Sequence, residues 1–304
     1  MPQKNYGKEI KMGKVYNGII GLVVGDALGV PYEFRQRDTF KAVGMAGYGS
    51  HNQPAGTWSD DSSLTLATLE SIGRLGKIDL NDIMHNFVSW LARNDFTAHG
   101  NVFDVGVTTQ QAIYNYAIYH MRPETCGGNK ELDNGNGSLM RILPLAFIPH
   151  DIYDERKLSS LTHAHDTSVF ACEFYLAVAS GLLAGLRKDI AIIRACTGAN
   201  PPFQRLEMLD ELSRDDIRST GYVVDTLEAA LWCFLKAENY RDCVLMAVNL
   251  GEDTDTVAAV AGGLAGIYYG VGGKNGIPEE WLEKIARHDR IKELCDVFER
   301  KFPN

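Results

Sequence analysis

The sequence predicts an all-α fold, and three observations support this prediction. Apolar residues in the segment 80–91 recur with the i, i+3, i+4, i+7 spacing that places them on one face of a helix. The segments 15–28 and 257–270 are apolar on most faces and rich in glycine and alanine, which suits central helices that approach one another closely. No segment shows the sustained alternation of apolar and polar residues that is typical of a half-buried strand.

The remaining elements follow in chain order from the same spacing. Helices are predicted over 62–75, 105–120, 167–186, 222–237 and 288–302. Irregular stretches are predicted at 29–58, 94–104, 121–138, 196–204 and 270–278. None of these stretches has the composition of a flexible linker, so we expect one domain over 15–304 behind an N-terminal extension of residues 1–14. Long loops in a compact helical domain are often functional.

Composition narrows the class of protein. Of 304 residues, 45% are hydrophobic and 23% charged, which is typical of a globular protein, and the net charge is −9. The negative charge argues against general binding to nucleic acid or to an anionic membrane. The longest apolar runs, 176–186 and 257–270, are shorter than the about 20 residues of a membrane-spanning helix, so no membrane association is expected. Six isolated cysteines, and an N-terminus without an apolar signal segment, predict a cytoplasmic protein.

Two acidic clusters each stand immediately before an apolar helix. The first acidic cluster is residues 56–62, with Ser59, Asp60 and Asp61, and the second is residues 251–256, with Asp253, Asp255 and Thr256. One explanation is helix N-capping, in which a side-chain oxygen accepts a backbone hydrogen bond. Each cluster supplies more oxygens than a cap needs, however, and adjacent buried carboxylates repel unless a cation neutralises them. If the clusters meet, their four aspartates could hold two hard divalent cations, Mg²⁺ or Mn²⁺.

Three further motifs combine small and polar residues around the irregular stretches. In residues 25–33 an apolar helix is predicted to end at Asp26, and the plain explanation is a C-cap with Gly29 in the left-handed region. The glycines of 134–141 either expose backbone N–H groups to a phosphate or form a simple turn. The histidines of 162–166 either hydrogen-bond a phosphate or ribose, or lie in an ordinary polar loop.

In this order, the motifs resemble those of the ADP-ribosylglycohydrolase family, whose members include hydrolases that release ADP-ribose from arginine. The matching segments are 25–29 with Glu33, 57–61, 103–106, 135–141, 162–165 and 251–256. They extend over about residues 15–270, which is most of the chain. The resemblance implies a compact single-domain orthogonal helical bundle with a binuclear Mg²⁺ or Mn²⁺ centre in a cleft.

The resemblance also implies which residues form this centre. The implied metal ligands are Ser59, Asp60, Asp61, Asp253, Asp255 and Thr256. Glu33 matches a loop glutamate near the metals, and Asp104 matches an aspartate that faces the scissile group in arginine-directed members. The implied catalytic residues are Glu33, Asp60, Asp61, Asp104 and Asp255. Asp104 also has a plain explanation, as a cap for a helix that starts near Val105.

The resemblance implies that a second group of residues binds the nucleotide. Asn136, Gly137 and Ser138 match the cradle of the diphosphate, and either His163 or His165 matches a histidine that touches the nucleotide. The resemblance therefore implies that the partner is an ADP-ribosylated protein or a small molecule that contains ADP-ribose.

The implied activity is hydrolysis of the N-glycosidic bond between ADP-ribose and a modified target, with a metal centre that orients the ribose and activates water. Arginine is the preferred target, because residues 103–106 match the arginine-directed members. The alternatives are a serine-linked, nucleobase-linked or free ADP-ribose derivative. A catalytically silent binding or structural member is the other alternative, but such a protein is expected to lose ligands, and this sequence keeps all four aspartates.

Overall fold

Twelve α-helices form the protein over residues 13–303, the part of the chain that the computed structural model describes. They are α1 (Lys14–Gly29), α2 (Asp60–Leu75), α3 (Leu80–Arg93), α4 (Val107–Ala117), α5 (Ile152–Ser160), α6 (Asp166–Leu183), α7 (Lys188–Cys196), α8 (Val223–Lys236), α9 (Tyr240–Val248), α10 (Thr254–Tyr269), α11 (Glu279–Leu282) and α12 (His288–Lys301). Within the same range there is no strand, and pairing is limited to four isolated β-bridges. The predicted all-α class is confirmed.

Each of the eight helices predicted from the sequence forms, with shifted ends, and four others escape the prediction. The missed helices α5, α7 and α9 have nine residues each and α11 has four, so each contains too few turns for its spacing to be recognised. The predicted end of α1 at Asp26 is wrong, because the helix continues to Gly29. The C-cap explanation is wrong as well, because Gly29 has an ordinary helical φ of −81°.

Helices α1 and α10 pack against each other more extensively than any other pair, and glycine allows their close approach. A Cβ atom added to Gly25 would lie 2.1 Å from the carbonyl oxygen of Ala258, and one added to Gly29 would lie 2.3 Å from the Cα of Asp255. These glycines are therefore needed for space rather than for a special backbone conformation. The contact brings the C-terminal end of α1 against the start of α10, where the second acidic cluster lies.

This packing makes Gly25→Ala a strongly destabilising substitution. Alanine favours a helix over glycine by up to about 1 kcal/mol, but the added methyl group would overlap backbone atoms of α10, and overpacking of this kind costs about 1–3 kcal/mol or more. We expect a lower free energy of unfolding in urea. Gly44→Ala is the matched control, because a Cβ there would make an ordinary 3.6 Å contact with Nε1 of Trp281. Equal stability of the two variants would contradict this account of the helix pair.

The remaining helices surround this pair. Helices α8 and α9 pack on α10, and α6 contacts both α8 and α10. Helix α2 packs between α3 and α12 and also touches α1 and α10, so its first turn reaches the interior at the point where α1 ends. The starts of α2 and α10, each carrying an acidic cluster, thus converge on the C-terminal end of α1.

Two helical segments, Lys14–Tyr32 and Asp166–Leu183, are long and apolar enough to cross a membrane by length and composition alone. Both segments contain polar residues, so neither is an uninterrupted apolar run in the sequence. Within the protein, 89% of the first segment and 50% of the second is buried, and core helices pass the same test. The predictions for residues 1–12, including the absence of a signal segment, lie outside the described residues.

Candidate active site

The first acidic cluster forms the start of α2. Ser59 is the N-cap, and its hydroxyl oxygen accepts a hydrogen bond of 3.3 Å from the backbone N–H of Asp61. The capping explanation is therefore correct for Ser59. It does not account for Asp60 and Asp61, which lie in the first turn and are 7% and 1% exposed. Their negative charge is favoured by the positive end of the helix, but their burial needs a further cause.

Asp26 of α1 holds this helix start in place. Its carboxylate accepts hydrogen bonds from the backbone N–H of Ser59 at 2.9 and 3.0 Å, and from the N–H of Ser62 at 3.1 Å. The hydroxyl of Ser62 donates a further bond of 2.5 Å. Asp26 is fully buried, and burial raises its pKa to about 6, although the hydrogen bonds oppose this effect. This residue thus orients the first acidic cluster from the neighbouring helix.

The second acidic cluster forms the start of α10 in a different way. Asp253 occupies the N-cap position, but its side chain makes no capping hydrogen bond. The hydroxyl of Thr254 donates to the carbonyl oxygen of Gly29 at 2.8 Å, which fastens α10 to the end of α1. One oxygen of Asp253 instead accepts a bond of 2.8 Å from the side-chain amide of Asn136. Capping is therefore the wrong explanation for the side chain of Asp253.

The two clusters meet. Carboxylate oxygens of Asp26, Asp61 and Asp255 lie within 4.8 Å of one another, and so do those of Glu33, Asp253 and Asp255. The hydroxyl of Thr256 bridges the clusters by donating to Asp61 at 3.4 Å. Five carboxylates from three parts of the chain therefore converge, with Asp60 beside them in the same turn of α2.

These carboxylates have the properties of a cation site. One buried oxygen on each of Asp61, Asp253 and Asp255 has no hydrogen-bond partner within the described structure. An unpaired buried oxygen is costly, and several together repel one another, so the cluster needs positive charge that the neighbouring side chains do not supply. An all-oxygen donor set of this kind matches hard divalent cations. The residues present therefore fit a metal centre.

Burial and mutual repulsion both raise the pKa of these carboxylates. Burial is the larger cause and mutual repulsion the second, and together they raise the pKa of Asp60, Asp61 and Asp255 well above the ordinary value. Burial also raises the pKa of Asp253. In the absence of a cation, protons are therefore retained at higher pH than on surface carboxylates.

The affinity for a divalent cation should consequently depend on pH. Because the raised pKa values let protons compete with the metal, affinity is expected to fall as the pH decreases, by up to about tenfold per pH unit for each proton displaced. Calorimetric titration with Mn²⁺ in two buffers of different ionisation enthalpy measures both the affinity and the protons released. An affinity independent of pH, with no proton release, would show that the carboxylates are already ionised.

The glycine loop, residues 134–138, adjoins the second acidic cluster through the bond from Asn136 to Asp253. The backbone N–H of Asn136 donates to the carbonyl oxygen of Gly221 at 3.1 Å, and Gly135 forms a β-bridge with Tyr222. The loop leads into a short 3₁₀ helix over Leu139–Arg141. Its N–H groups thus belong to a turn, without the dipole of a long helix behind them.

The imidazole ring of His163 packs against this loop. A Cβ atom added to Gly137 would lie 2.7 Å from Cε1 of His163, so only glycine allows the loop to rest on the imidazole ring. Burial, together with the charge of Arg141, lowers the pKa of His163 to about 3, and the ring is therefore neutral. Arg141 is fully buried and donates to the hydroxyl of Thr162 at 2.7 Å, which places a positive charge behind the loop.

The carboxylates and the loop line one cleft of about 250 Å³. Its lining includes the carboxylate residues Glu33, Asp60, Asp104 and Asp253 together with Asn136, Gly137 and His163. Two predicted nucleotide residues do not line it. Ser138 is fully buried and its hydroxyl oxygen accepts a bond of 2.9 Å from Ser159, and His165 is the N-cap of α6. Of the two histidines left open by the sequence, only His163 faces the cleft.

Asp104 lies at the cleft for a reason other than capping. Helix α4 begins at Val107, and its N-cap is Gly106, which makes no side-chain cap. Asp104 itself has a left-handed φ of 53°. Its carboxylate lies within 4.8 Å of the polar atoms of Glu33 and His51. The capping explanation for Asp104 is therefore wrong, and the side chain is available to a ligand.

His51 is a site residue that the sequence analysis missed. Its Nε2 hydrogen-bonds a carboxylate oxygen of Glu33, and this bond raises the pKa of the histidine. Burial raises the pKa of Glu33 to about 8, so one proton is shared between the two side chains near neutral pH. His51 is a single histidine in an irregular stretch, and no spacing in the sequence relates it to Glu33.

Comparison with known proteins agrees with this geometry. The sequence model of the ADP-ribosylglycohydrolase family matches residues 8–304. The chain belongs to the ADP-ribosylglycohydrolase family. Members of this family hydrolyse glycosidic bonds of ADP-ribose, and the classification of this protein as an enzyme follows from its membership.

Individual family members are similar over 80% to 98% of their own length. ADP-ribosylarginine hydrolase Tri1 of Pseudomonas putida is 35% identical, with 96% of this chain and 80% of the relative aligned. ADP-ribosyl-[dinitrogen reductase] glycohydrolase of Rhodospirillum rubrum is 30% identical, with 90% of each chain aligned. A solved structure described as an ADP-ribosylglycohydrolase-related protein complex superposes with a TM-score of 0.81 at 31% identity and covers 96% of this chain and 98% of its own.

Proposed function

We propose that this protein hydrolyses the N-glycosidic bond between ADP-ribose and arginine of a modified protein. The observation that carries the proposal is Asp104, whose carboxylate lies in the cleft beside Glu33 and Asp60 without serving as a helix cap. A carboxylate in this position can bind the edge of a guanidinium group through two charge-assisted hydrogen bonds. The names of two relatives, which specify ADP-ribosylarginine and dinitrogen reductase, support the same substrate class.

We further propose that the centre holds two divalent cations, Mg²⁺ or Mn²⁺. Asp61 and Ser59 of the first cluster, with Asp60, would hold them together with Asp253, Asp255 and Thr256 of the second. The supporting observations are the convergence of carboxylates from three segments and the unpartnered oxygens on Asp61, Asp253 and Asp255. When bound, such cations polarise the ribose hydroxyl groups and lower the pKa of water.

The chain's own residues orient the substrate and control its protons. Gly137 would offer its backbone N–H group to the diphosphate, whereas the N–H of Asn136 is already bonded to Gly221. The buried charge of Arg141 favours an anion at this loop. Glu33 holds a proton between its carboxylate and Nε2 of His51, so it can accept or return a proton at the scissile bond. The carboxylates that surround the anomeric carbon would stabilise the positive charge that develops there.

The test is direct. The protein is incubated with ADP-ribosyl-arginine and ADP-ribosyl-serine peptides, with Mg²⁺ or Mn²⁺, and released ADP-ribose is measured. We expect release from the arginine peptide that is abolished by EDTA. Release from the serine peptide alone would show that the protein hydrolyses the serine linkage instead of the arginine linkage. Binding of ADP-ribose without release from either peptide would indicate a catalytically silent member of the family.

We also propose a reducing, cytoplasmic location. The six cysteines are all buried and free in the structure, as thiols are in such a compartment. Fractionation of the native host cells, with detection of this chain, tests this location.

A further inference from the structure

Phe34 is a bulky apolar residue in an unfavourable position. Its backbone has a left-handed φ of 63°, which is an outlier for a large side chain, and the residue is 72% exposed. Both the strained backbone and the exposed apolar surface oppose folding. Stability therefore does not explain why a phenylalanine occupies this place, directly after Glu33 and on the lining of the cleft.

The surrounding structure holds this strained backbone in place. The N–H of Phe34 donates to the carbonyl oxygen of Glu252 at 2.7 Å, and the N–H of Glu252 donates back to the carbonyl oxygen of Arg35 at 2.8 Å. The hydroxyl of Ser50 donates to the carbonyl oxygen of Glu33 at 2.6 Å. The segment that carries Phe34 is thus bonded to the loop of the second acidic cluster, which fixes its Cα beside the cleft.

Aromatic and acidic groups gather around this ring. The centroid of Phe34 lies 5.8 Å from that of His51, and Phe103 lies 5.2 Å from His51. Asp104 directly follows Phe103, and its carboxylate lies within 4.8 Å of the polar atoms of Glu33 and His51. Among residues 13–303 no lysine or arginine side chain lies over Phe34, in contrast to Phe40, which is covered by the guanidinium of Arg35.

A planar cation is the ligand that this arrangement fits. A guanidinium group needs a carboxylate at its edge and favours an aromatic ring against its face. We propose that Phe34 is the surface on which the guanidinium of an ADP-ribosylated arginine stacks, while the carboxylate of Asp104 holds its edge. This inference rests on the proposed arginine-directed function and assigns the specificity to a residue outside the acidic clusters.

The reaction determines which kinetic constant should respond. The bond between the anomeric carbon and nitrogen breaks with its electron pair going to nitrogen, so the guanidinium departs as a neutral guanidine. Water then supplies its hydroxyl to the anomeric carbon and its proton to the guanidine. The positive charge is therefore on the guanidinium before the bond breaks and again after the guanidine is protonated, but it is reduced in the transition state. Loss of the stacking should raise KM, and kcat should not fall, because the contact is weaker in the transition state than in the bound substrate.

The experiment compares Phe34→Leu, which keeps an apolar side chain without a π face, with Phe34→Trp, which provides a larger one. For each metal-loaded variant we would measure KM and kcat for an ADP-ribosyl-arginine peptide and the inhibition constant of ADP-ribose. Tyr48→Ala is the matched control, since Tyr48 is also aromatic, 63% exposed and left-handed (φ 70°) but does not line the cleft.

We expect Phe34→Leu to raise KM by roughly 2- to 30-fold, the range of a cation–π contact, while Phe34→Trp stays close to the wild type. Neither variant should change the inhibition constant of ADP-ribose, and Tyr48→Ala should change nothing. Equal KM values for the leucine and tryptophan variants, or a parallel rise in the inhibition constant, would overturn the inference alone. A wild-type protein that does not cleave the arginine peptide would instead remove the proposed function and the inference with it.

Discussion

Replacement of Asp255 by alanine is expected to abolish turnover and to remove the stabilisation that divalent cations confer. Asp255 belongs to both groups of carboxylates within 4.8 Å, one shared with Asp26 and Asp61 and the other with Glu33 and Asp253. Substitution of a residue that hydrogen-bonds a metal ligand typically lowers metal affinity or activity about 10- to 100-fold. Loss of a direct ligand should therefore lower activity by at least about 100-fold. Asp60→Ala is expected to behave in the same way.

Without metal, Asp255→Ala should not lower the free energy of unfolding. Burial, and then repulsion from Glu33 and Asp61, raises the pKa of Asp255, so its ionised form opposes folding at neutral pH. The variant should therefore be at least as stable as the wild type without metal. With a cation at about 100 times its Kd, the wild type should gain about 2.7 kcal/mol and the variant much less.

Thermal unfolding with and without Mn²⁺, together with turnover of an ADP-ribosyl-arginine peptide, measures both effects. Asp210→Asn is a suitable control, because Asp210 is exposed and lies outside the acidic clusters. Full activity of Asp60→Ala or Asp255→Ala without added metal would show that the binuclear assignment is wrong.

Asp104→Asn should depress turnover of ADP-ribosyl-arginine by about 10- to 150-fold. A hydrogen bond to a charged group is worth roughly 1.5–3 kcal/mol, and asparagine keeps the shape of the side chain while removing its charge. The affinity for ADP-ribose should hardly change, since the nucleotide is expected to be held by the glycine loop and the metal centre rather than by Asp104.

The structure makes this substitution easier to interpret. Asparagine tolerates the left-handed φ of 53° that Asp104 adopts, so the backbone should be undisturbed. A capping role is already contradicted by Gly106 at the N-cap of α4, so an effect on turnover reports the carboxylate itself. Affinity for ADP-ribose by calorimetry and turnover of the arginine peptide are measured on the same variant. Unchanged turnover would remove the main structural reason to prefer arginine over serine.

The fold class and most of the helices could be predicted because they depend on local spacing. The stripe of α3 and the apolar composition of α1 and α10 are periodic features of the chain itself. Helices of nine residues or fewer escaped because two turns are too short for such a period to be recognised.

Helix boundaries at the site depended on tertiary contacts. The sequence indicated an end of α1 at Asp26, yet the helix continues because Gly29 packs without a Cβ against the backbone of Asp255. For the same reason Asp26 was missed as a site residue, since its role is to accept hydrogen bonds from Ser59 and Ser62 on another helix.

By itself, the sequence determined an all-α protein with two acidic clusters, a glycine loop and the motifs of one enzyme family. Only the tertiary structure decided that the clusters share one centre, that His163 and not His165 faces the cleft, and that Asp104 is not a helix cap. It also brought His51 to Glu33 and Phe34 to the cleft. Helical spacing and capping depend on residues that are a few positions apart in the chain, so they can be predicted from the sequence. Carboxylate repulsion, burial and ring stacking depend on distances between segments that are far apart in the chain, so they are known only from the tertiary structure.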